Sequence, residues 1–138
     1  MQDKEALLVK LGIKTSLIGA AAAIAVSAAL LPTPANAAAS AWSSCPEGHF
    51  CAWTGDNGGG SMCKWSGDDP DWTNGTIVCG WAAGTRVQSV FNNGTTGVPV
   101  SAYTATSYGG TKMFCLAKGS QLNLSGVGTY LRSHTWDC

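Results

Sequence analysis

The sequence predicts an all-β fold, namely a disulfide-stabilised sandwich of two related halves. Sixteen of the 18 glycines and all six cysteines lie after residue 37 of the 138-residue chain. No long apolar stripe with a period of 3.6 residues runs through this part, which favours short strands and turns over helices. A pattern of aromatic, threonine and glycine residues also occurs twice in it, which indicates two copies of one structural unit.

The first 37 residues are predicted to be a secretory signal peptide. Three lysines precede an uncharged, alanine-rich run over residues 15–31, and residues 35–37 then supply an Ala-x-Ala cleavage pattern. An uncleaved membrane anchor is the alternative, although the run only just reaches the length that spans a bilayer. We expect cleavage between Ala37 and Ala38, which would make the protein secreted and extracellular, with no membrane attachment afterwards.

The mature chain is expected to form one domain. Residues 38–44 would be a short N-terminal tail, and residues 45–138 the folded domain. Residues 38–138 carry five lysines and arginines against six acids, a net charge of −1, so no nucleic acid partner is expected. An even number of cysteines in a small secreted chain is typical of disulfides that supplement a limited core.

An internal repeat divides the domain. Ala52-Trp53-Thr54 followed by Gly60-Ser61 recurs 50 positions later as Ala102-Tyr103-Thr104 followed by Gly110-Thr111. Near the end of each unit, residues 84–89 match residues 128–133, 44 positions later, because the first unit contains a longer connection. We therefore place motif one at about 45–92 and motif two at about 98–138, with a turn-rich connection between them.

Alternation predicts the strands within each half. Three sets of side chains each share one face: Thr111, Met113, Cys115 and Ala117; Val87, Ser89 and Phe91; and Val98, Val100 and Ala102. Residues 55–60 and 107–110 are predicted turns. About four strands per half would form a sandwich in which each half supplies one inner face.

The repeated unit resembles the Greek-key motif of the βγ-crystallin superfamily, in which an aromatic residue precedes a Gly-Gly pair and a serine lies in a late strand. The opening Cys45-Pro46-Glu47-Gly48-His49-Phe50-Cys51-Ala52-Trp53 resembles, more narrowly, peptidase inhibitor family I36. This resemblance spans residues 45–138 and implies a βγ-crystallin-like sandwich of two Greek-key motifs. It also implies a secreted inhibitor of a proteinase, in particular of a metalloproteinase. The calcium site of some crystallin motifs is not expected, because the positions before Ser89 and Ser133 offer no carboxylate.

The cysteines favour disulfides over a metal site. Several connectivities are possible, and we favour three pairs, of which the last two each stay within one repeat: Cys45 with Cys51, Cys63 with Cys79, and Cys115 with Cys138. Zinc bound by Cys45, His49 and Cys51 is the alternative. A structural zinc needs four matched ligands, whereas His134 is the only other histidine and no Cys-x-x-Cys pair occurs. We therefore expect no metal and no cofactor.

No catalytic residues are predicted, and the protein is not expected to be an enzyme. Serines are plentiful, but none lies in a Gly-x-Ser-x-Gly elbow. His134 and Asp137 are interpreted as a polar chain end. Glu47 and the acids of residues 68–71 could pair for glycoside hydrolysis, but acids clustered within four residues are more often a solvated loop.

The candidate inhibitory loop covers residues 64–76, between two cysteines that are expected to pair. It carries two tryptophans and three aspartates: Trp65, Asp68, Asp69, Asp71 and Trp72. A loop held at both ends loses less conformational entropy on binding, and aromatic residues are common hot spots at interfaces. The alternative is that both tryptophans pack on the sandwich while the acids only face water.

The hypothesis is therefore a monomeric, secreted proteinase inhibitor that occludes the cleft of its target reversibly, in which the inhibitory role is what the family resemblance implies. An antimicrobial or killer-toxin-like protein of the same fold is one alternative, although the near-neutral charge disfavours membrane attack. A carbohydrate-binding module is the other alternative. That role would require at least two coplanar, exposed tryptophans, whereas burial of Trp65, Trp72 and Trp81 would count against both alternatives.

Overall fold

A computed structural model describes residues 41–138. The predicted signal peptide and its cleavage between residues 37 and 38 lie outside the described residues. Within residues 41–138 there is no α-helix, and the short 3-10 turns cover Ala41–Ser44, Asp56–Gly58 and Gly80–Ala83. None of these helical turns has the length and apolar character needed to cross a membrane.

Seven strands form two antiparallel sheets. The strands are β1 (His49–Trp53), β2 (Met62–Trp65), β3 (Ser89–Asn93), β4 (Val100–Tyr103), β5 (Lys112–Leu116), β6 (Gln121–Asn123) and β7 (Ser133–Thr135). The first sheet has the order β2-β1-β3-β6, and the second has the order β5-β4-β7. The predicted all-β class with two sheets is therefore confirmed.

The two halves are interlocked across the sheets. Strand β6 belongs to the second half, but it pairs with β3 of the first half, with Val90 opposite Leu122. In return, Asp69 of the first half forms an isolated antiparallel bridge with His134 of β7. The expectation that each half supplies one complete inner face is therefore wrong in this detail, because each half contributes a segment to the other's sheet.

The main core lies between the two sheets. Its buried side chains include Phe50, Ala52, Trp65, Trp72, Val87, Val90, Val100, Ala102, Leu116 and Leu131. As alternation predicts, Val100 and Ala102 of β4 are both in this core, whereas Met113 and Cys115 of β5 are both exposed.

A second, smaller cluster lies against the outer face of the first sheet. Cys51 and Trp53 belong to it, and Trp42 and Phe91 pack on it. The prediction that Val87 shares a face with Phe91 is therefore wrong, because Val87 lies in the main core. The reason is that Val87 precedes β3 and is held by a separate bridge to Thr129, so the pleat does not run unbroken from Val87 to Phe91.

The repeat predicted from the sequence is visible in one hydrogen-bonded unit that occurs twice. Ser89 Oγ donates to the Gly55 carbonyl at 2.6 Å and accepts from the Gly58 N–H at 3.0 Å. Ser133 Oγ donates to the Ala105 carbonyl at 2.6 Å and accepts from the Tyr108 N–H at 3.1 Å. Each serine therefore fastens the turn that follows the first strand of its own motif.

Three disulfides join Cys45 to Cys51, Cys63 to Cys79 and Cys115 to Cys138. These are the pairs that the sequence favoured. The Cys45–Cys51 link therefore removes both thiols that a zinc site with His49 would have needed. No group of three or more His, Cys, Asp or Glu residues within residues 41–138 is arranged to hold a metal ion.

Candidate functional site

The segment between Cys63 and Cys79, here called the stapled loop (residues 64–78), is closed at two levels. The disulfide joins its ends across a sequence separation of 16. Further in, the Cys79 N–H donates to the Trp72 carbonyl at 2.6 Å. The six residues between these two positions therefore form a small closed loop of their own, here called the tip loop (residues 73–78).

The two tryptophans of the stapled loop are core residues. Trp65 and Trp72 are both fully buried, and their rings stack with centroids 4.4 Å apart. Phe50 of β1 extends the stack, with its centroid 6.0 Å from that of Trp65. Of the two roles considered for these residues, the structure shows packing, and neither ring is available to a partner.

A buried histidine holds Trp72 in place. The indole Nε1 of Trp72 donates to Nδ1 of His134 at 2.8 Å, and Nε2 of His134 lies 2.8 Å from the Gly67 carbonyl. Since the Gly67 carbonyl can only accept, Nε2 carries a proton, and since the indole N–H can only donate, Nδ1 carries none, so the imidazole is neutral. Burial lowers the pKa of His134 from 6.5 to about 4, although its hydrogen bond to Gly67 acts in the opposite direction.

The interpretation of His134 and Asp137 as a polar chain end is therefore wrong for His134. Asp137 is exposed, whereas His134 is buried between the two sheets. The side chain is buried because β7 lies in the second sheet and its backbone pairs with Asp69 of the stapled loop. This histidine is a structural link between the loop and the core.

The three aspartates of the stapled loop mostly stabilise the loop itself. Asp68 is exposed and accepts from the Trp136 N–H at 2.6 Å. Asp69 is buried and accepts from the Asp71 N–H at 2.9 Å, and burial is the main cause of its raised pKa. Both the N–H and the hydroxyl of Thr73 donate to Asp71, which lowers the pKa of that carboxyl.

Asp71 and Thr73 also connect the loop to the second half. Nη2 of Arg132 lies 3.7 Å from the Asp71 carboxylate and donates to the Thr73 hydroxyl at 3.0 Å. The Arg132 carbonyl accepts from the Trp72 N–H at 2.9 Å. The stapled loop is therefore held by backbone, side-chain and disulfide links, which leaves little conformational freedom for it to lose on binding.

The exposed part of the loop is the tip. Asn74, Gly75 and Thr76 face solvent, and the next two side chains are apolar, with Ile77 38% and Val78 61% exposed. Sequence reasoning ended the loop at residue 76 and so missed both of them. The sequence signal that could have identified them is a pair of β-branched apolar residues directly before a cysteine that is expected to form a disulfide.

The tryptophans give no support to a sugar-binding or membrane-binding surface. All six lie within residues 41–138, and none of them is exposed. Trp81 is partly buried, packs against the main core and has a buried indole nitrogen. The coplanar, exposed pair that a carbohydrate-binding module would need is therefore not found among the described residues.

Comparison with known proteins gives a family and a fold. The sequence model of peptidase inhibitor family I36 matches residues 38–115. A chain solved in work on the evolution of the eye lens βγ-crystallin domain fold is similar, with a TM-score of 0.51 and 18% identity, covering 66% of this chain and 87% of that one. At this identity the likeness shows the fold alone, which is a βγ-crystallin-like sandwich. The curated proteins contain no significant match.

Proposed function

This chain belongs to peptidase inhibitor family I36, and from that membership we propose that it inhibits a secreted metalloproteinase by reversible occlusion of the enzyme's cleft. The family indicates a peptidase inhibitor. The class of its target, its secretion, its monomeric state and its mode of action are proposals. The contacting element is the stapled loop, and within it the tip loop.

The observation that carries the mechanism is the double closure of this loop. The Cys63–Cys79 disulfide fixes its outer ends, and the hydrogen bond between Trp72 and Cys79 fixes the base of the tip. Binding of such a loop requires little ordering, so more of the contact energy contributes to affinity. Ile77 and Val78 supply the apolar surface that the target would bury.

The same closure explains how the loop would resist cleavage. If a proteinase cut a peptide bond between residues 73 and 78, neither new end could diffuse away. Trp72 would still be buried in the core on one side, and Cys79 would still be joined to Cys63 on the other. The two ends would stay close together at high effective concentration, which favours resynthesis of the bond over release.

The proposal is tested by titrating the purified, oxidised protein against a panel of secreted metallo- and serine proteinases. We expect inhibition of at least one metalloproteinase at micromolar inhibitor or below. If micromolar protein slows none of the enzymes, the inhibitor proposal fails for both classes. If only serine proteinases are inhibited, the protein is still an inhibitor, but the proposal that its target is a metalloproteinase is wrong.

The contact role of the tip loop is tested by Val78→Ser, with Val127→Ser as the control. The two valines are similarly exposed, at 61% and 65%, but Val127 lies in a loop of the second half. We expect Val78→Ser to weaken inhibition by roughly tenfold, because a contact residue is lost, and Val127→Ser to leave inhibition unchanged. If both variants inhibit equally well, the contact surface does not include Val78 and lies outside the tip loop.

A further inference from the structure

Asparagine followed by glycine occurs three times in the chain, as Asn57-Gly58, Asn74-Gly75 and Asn93-Gly94. This dipeptide is particularly prone to deamidation, because glycine has no Cβ to hinder the approach of its backbone nitrogen to the side-chain amide. The three pairs have the same local chemistry, so any difference in their reactivity comes from the fold around them.

The first pair is held at both reacting groups. The amide oxygen of Asn57 accepts from Nδ2 of Asn123 at 2.8 Å, and the Gly58 N–H donates to Ser89 Oγ at 3.0 Å. Gly58 is also buried. Attack by the Gly58 nitrogen on the Asn57 amide therefore requires these hydrogen bonds to break first.

The third pair, between the two motifs, is held in a similar way. Nδ2 of Asn93 donates to the Cys45 carbonyl at 3.0 Å, and the Gly94 N–H donates to Oδ1 of Asn92 at 3.0 Å. Gly94 is buried against the ring of Trp136. Here too, a distant segment restrains the amide and the nitrogen is already bonded elsewhere.

The second pair, in the tip loop, has neither restraint. Asn74 and Gly75 are both exposed, and a Cβ added at Gly75 would meet no atom within 4 Å. The Gly75 N–H donates at 3.0 Å to the side-chain oxygen of Asn74 itself. Within residues 41–138, no other hydrogen bond holds the Asn74 side chain or the Gly75 N–H. The attacking nitrogen therefore already lies beside the amide group that it would attack.

We propose that Asn74 is a self-modification site, at which the tip loop deamidates. The Gly75 nitrogen forms a bond to Cγ of Asn74 while the bond from Cγ to the amide nitrogen breaks, and ammonia leaves with the proton of the Gly75 N–H. Water then opens the resulting cyclic imide at either carbonyl, which gives aspartate or isoaspartate. Proximity of the two groups within one turn favours the step, and no oxidant or second protein is needed.

Deamidation would alter the surface that we propose as the contact with the proteinase. Either product adds a negative charge to a loop that already carries the Asp71 carboxylate, whose pKa is lowered. Isoaspartate also adds one carbon to the main chain of the tip loop, whose ends are fixed at Trp72 and Cys79. Inhibition is therefore expected to decline as the protein ages. This consequence rests on the proposed inhibitory function, whereas the chemistry does not.

The modification is tested by following all three asparagines in the purified, oxidised protein at mildly alkaline pH, by peptide mapping with mass spectrometry. We expect Asn74 to convert faster than Asn57 and Asn93 by roughly tenfold or more, because the hydrogen bonds of the other two pairs must break first. The control is the reduced protein in denaturant, in which all three should convert at similar rates. Conversion of Asn57 or Asn93 as fast as Asn74 in the folded protein, or no conversion of Asn74 while the denatured chain reacts, would overturn the assignment.

The effect on inhibition is tested with Asn74→Gln, whose longer side chain cannot close the same ring, against a proteinase that the unaltered protein inhibits. We expect the unaltered protein to lose inhibition in proportion to the fraction converted, whereas the variant should keep its own starting value. If Asn74 converts and inhibition does not change, the proposed effect on inhibition is wrong. If the unaltered protein inhibits no enzyme, the inhibitory function fails, while the mass spectra still decide the modification.

Discussion

Trp72 and His134 are joined by a 2.8 Å hydrogen bond from the indole Nε1 to the imidazole Nδ1, and both side chains are fully buried. The bond connects the stapled loop to β7, and it needs a neutral imidazole, because a protonated ring has no acceptor nitrogen. The charge state of His134 therefore decides whether this hydrogen bond between the loop and the core is kept.

We expect the protein to lose stability as the pH falls from 6.5 to about 4. The pKa of His134 is lowered from 6.5 to about 4 in the folded state, so within this range the unfolded chain binds a proton that the folded protein does not. The free energy of unfolding then decreases with falling pH, by roughly 3 kcal/mol in total. Denaturant unfolding at a series of pH values measures this decrease in the free energy of unfolding.

The control is His134→Gln, whose amide can both accept and donate but does not titrate. Its free energy of unfolding should be lower at neutral pH and nearly independent of pH between 6.5 and 4. The lowered pKa of Asp71 affects stability mainly below the ordinary aspartate pKa of 3.8, and the raised pKa of Asp69 changes stability with pH in the opposite direction. The same pH slope in both proteins would show that His134 is not the titrating group.

Trp72→Phe is expected to destabilise the fold by about 1–3 kcal/mol, because Nδ1 of His134 would be left buried without its donor. The control is Trp81→Phe, since the Trp81 indole nitrogen is buried without a partner and no hydrogen bond would be lost. Thermal or denaturant unfolding compares the two variants. Equal losses would mean that only ring volume matters at Trp72.

The burial of Trp72 also rules out Trp72→Ala as a test of protease contact. Truncation of a buried tryptophan costs about 3–5 kcal/mol, which is a large part of the stability of a small domain. Loss of inhibition by that variant would therefore report loss of the fold. The exposed side chain of Val78 is the informative position.

The features that the sequence predicted correctly are local or repeated. The two copies of the turn could be found because Thr54 and Thr104 occupy the same place in each unit, where both hydroxyls accept the N–H seven residues later, at 2.9 Å. Strands β4 and β5 of the second half followed from alternation, since Val100 and Ala102 share the core face while Met113 and Cys115 are exposed. Such patterns depend on neighbours in the chain and not on the rest of the fold.

The features that escaped prediction depend on contacts between distant segments. No local pattern places Gln121–Asn123 in the sheet of the other half. Burial of His134 likewise follows from pairing with Asp69, 65 positions earlier. The role of Trp65 and Trp72 could not be decided, because an aromatic residue beside a turn is equally suited to a core or to an interface. Emphasis on these rings drew attention away from Ile77 and Val78, which are the exposed apolar residues of the tip loop.

Removal of the Cys63–Cys79 disulfide, with both residues changed to alanine, should have two effects. On the chain-entropy model the loss of stability is about 3 kcal/mol, against about 2 kcal/mol for Cys45 and Cys51. More specifically, only the first variant should become cleavable within residues 73–78, because the outer end of the loop is no longer fixed. Limited proteolysis with mass spectrometry locates the cuts, and the Cys45→Ala and Cys51→Ala double variant is the control.

Cleavage within residues 73–78 at equal rates in both double variants would contradict a specific role for the Cys63–Cys79 link. In that case global loosening of the domain, and not release of the tip loop, would explain the cuts. The comparison should be made at a temperature where both variants remain folded, as judged by near-UV circular dichroism.

Ser89→Ala and Ser133→Ala should destabilise the fold by similar amounts, about 1–3 kcal/mol each. Each hydroxyl makes one donated and one accepted hydrogen bond to its own turn, so each variant leaves one N–H and one carbonyl without a partner. Denaturant unfolding measures both, with the exposed Ser66→Ala as a control that should change little. A loss confined to one serine would mean that the two motifs share their geometry but not their energetics.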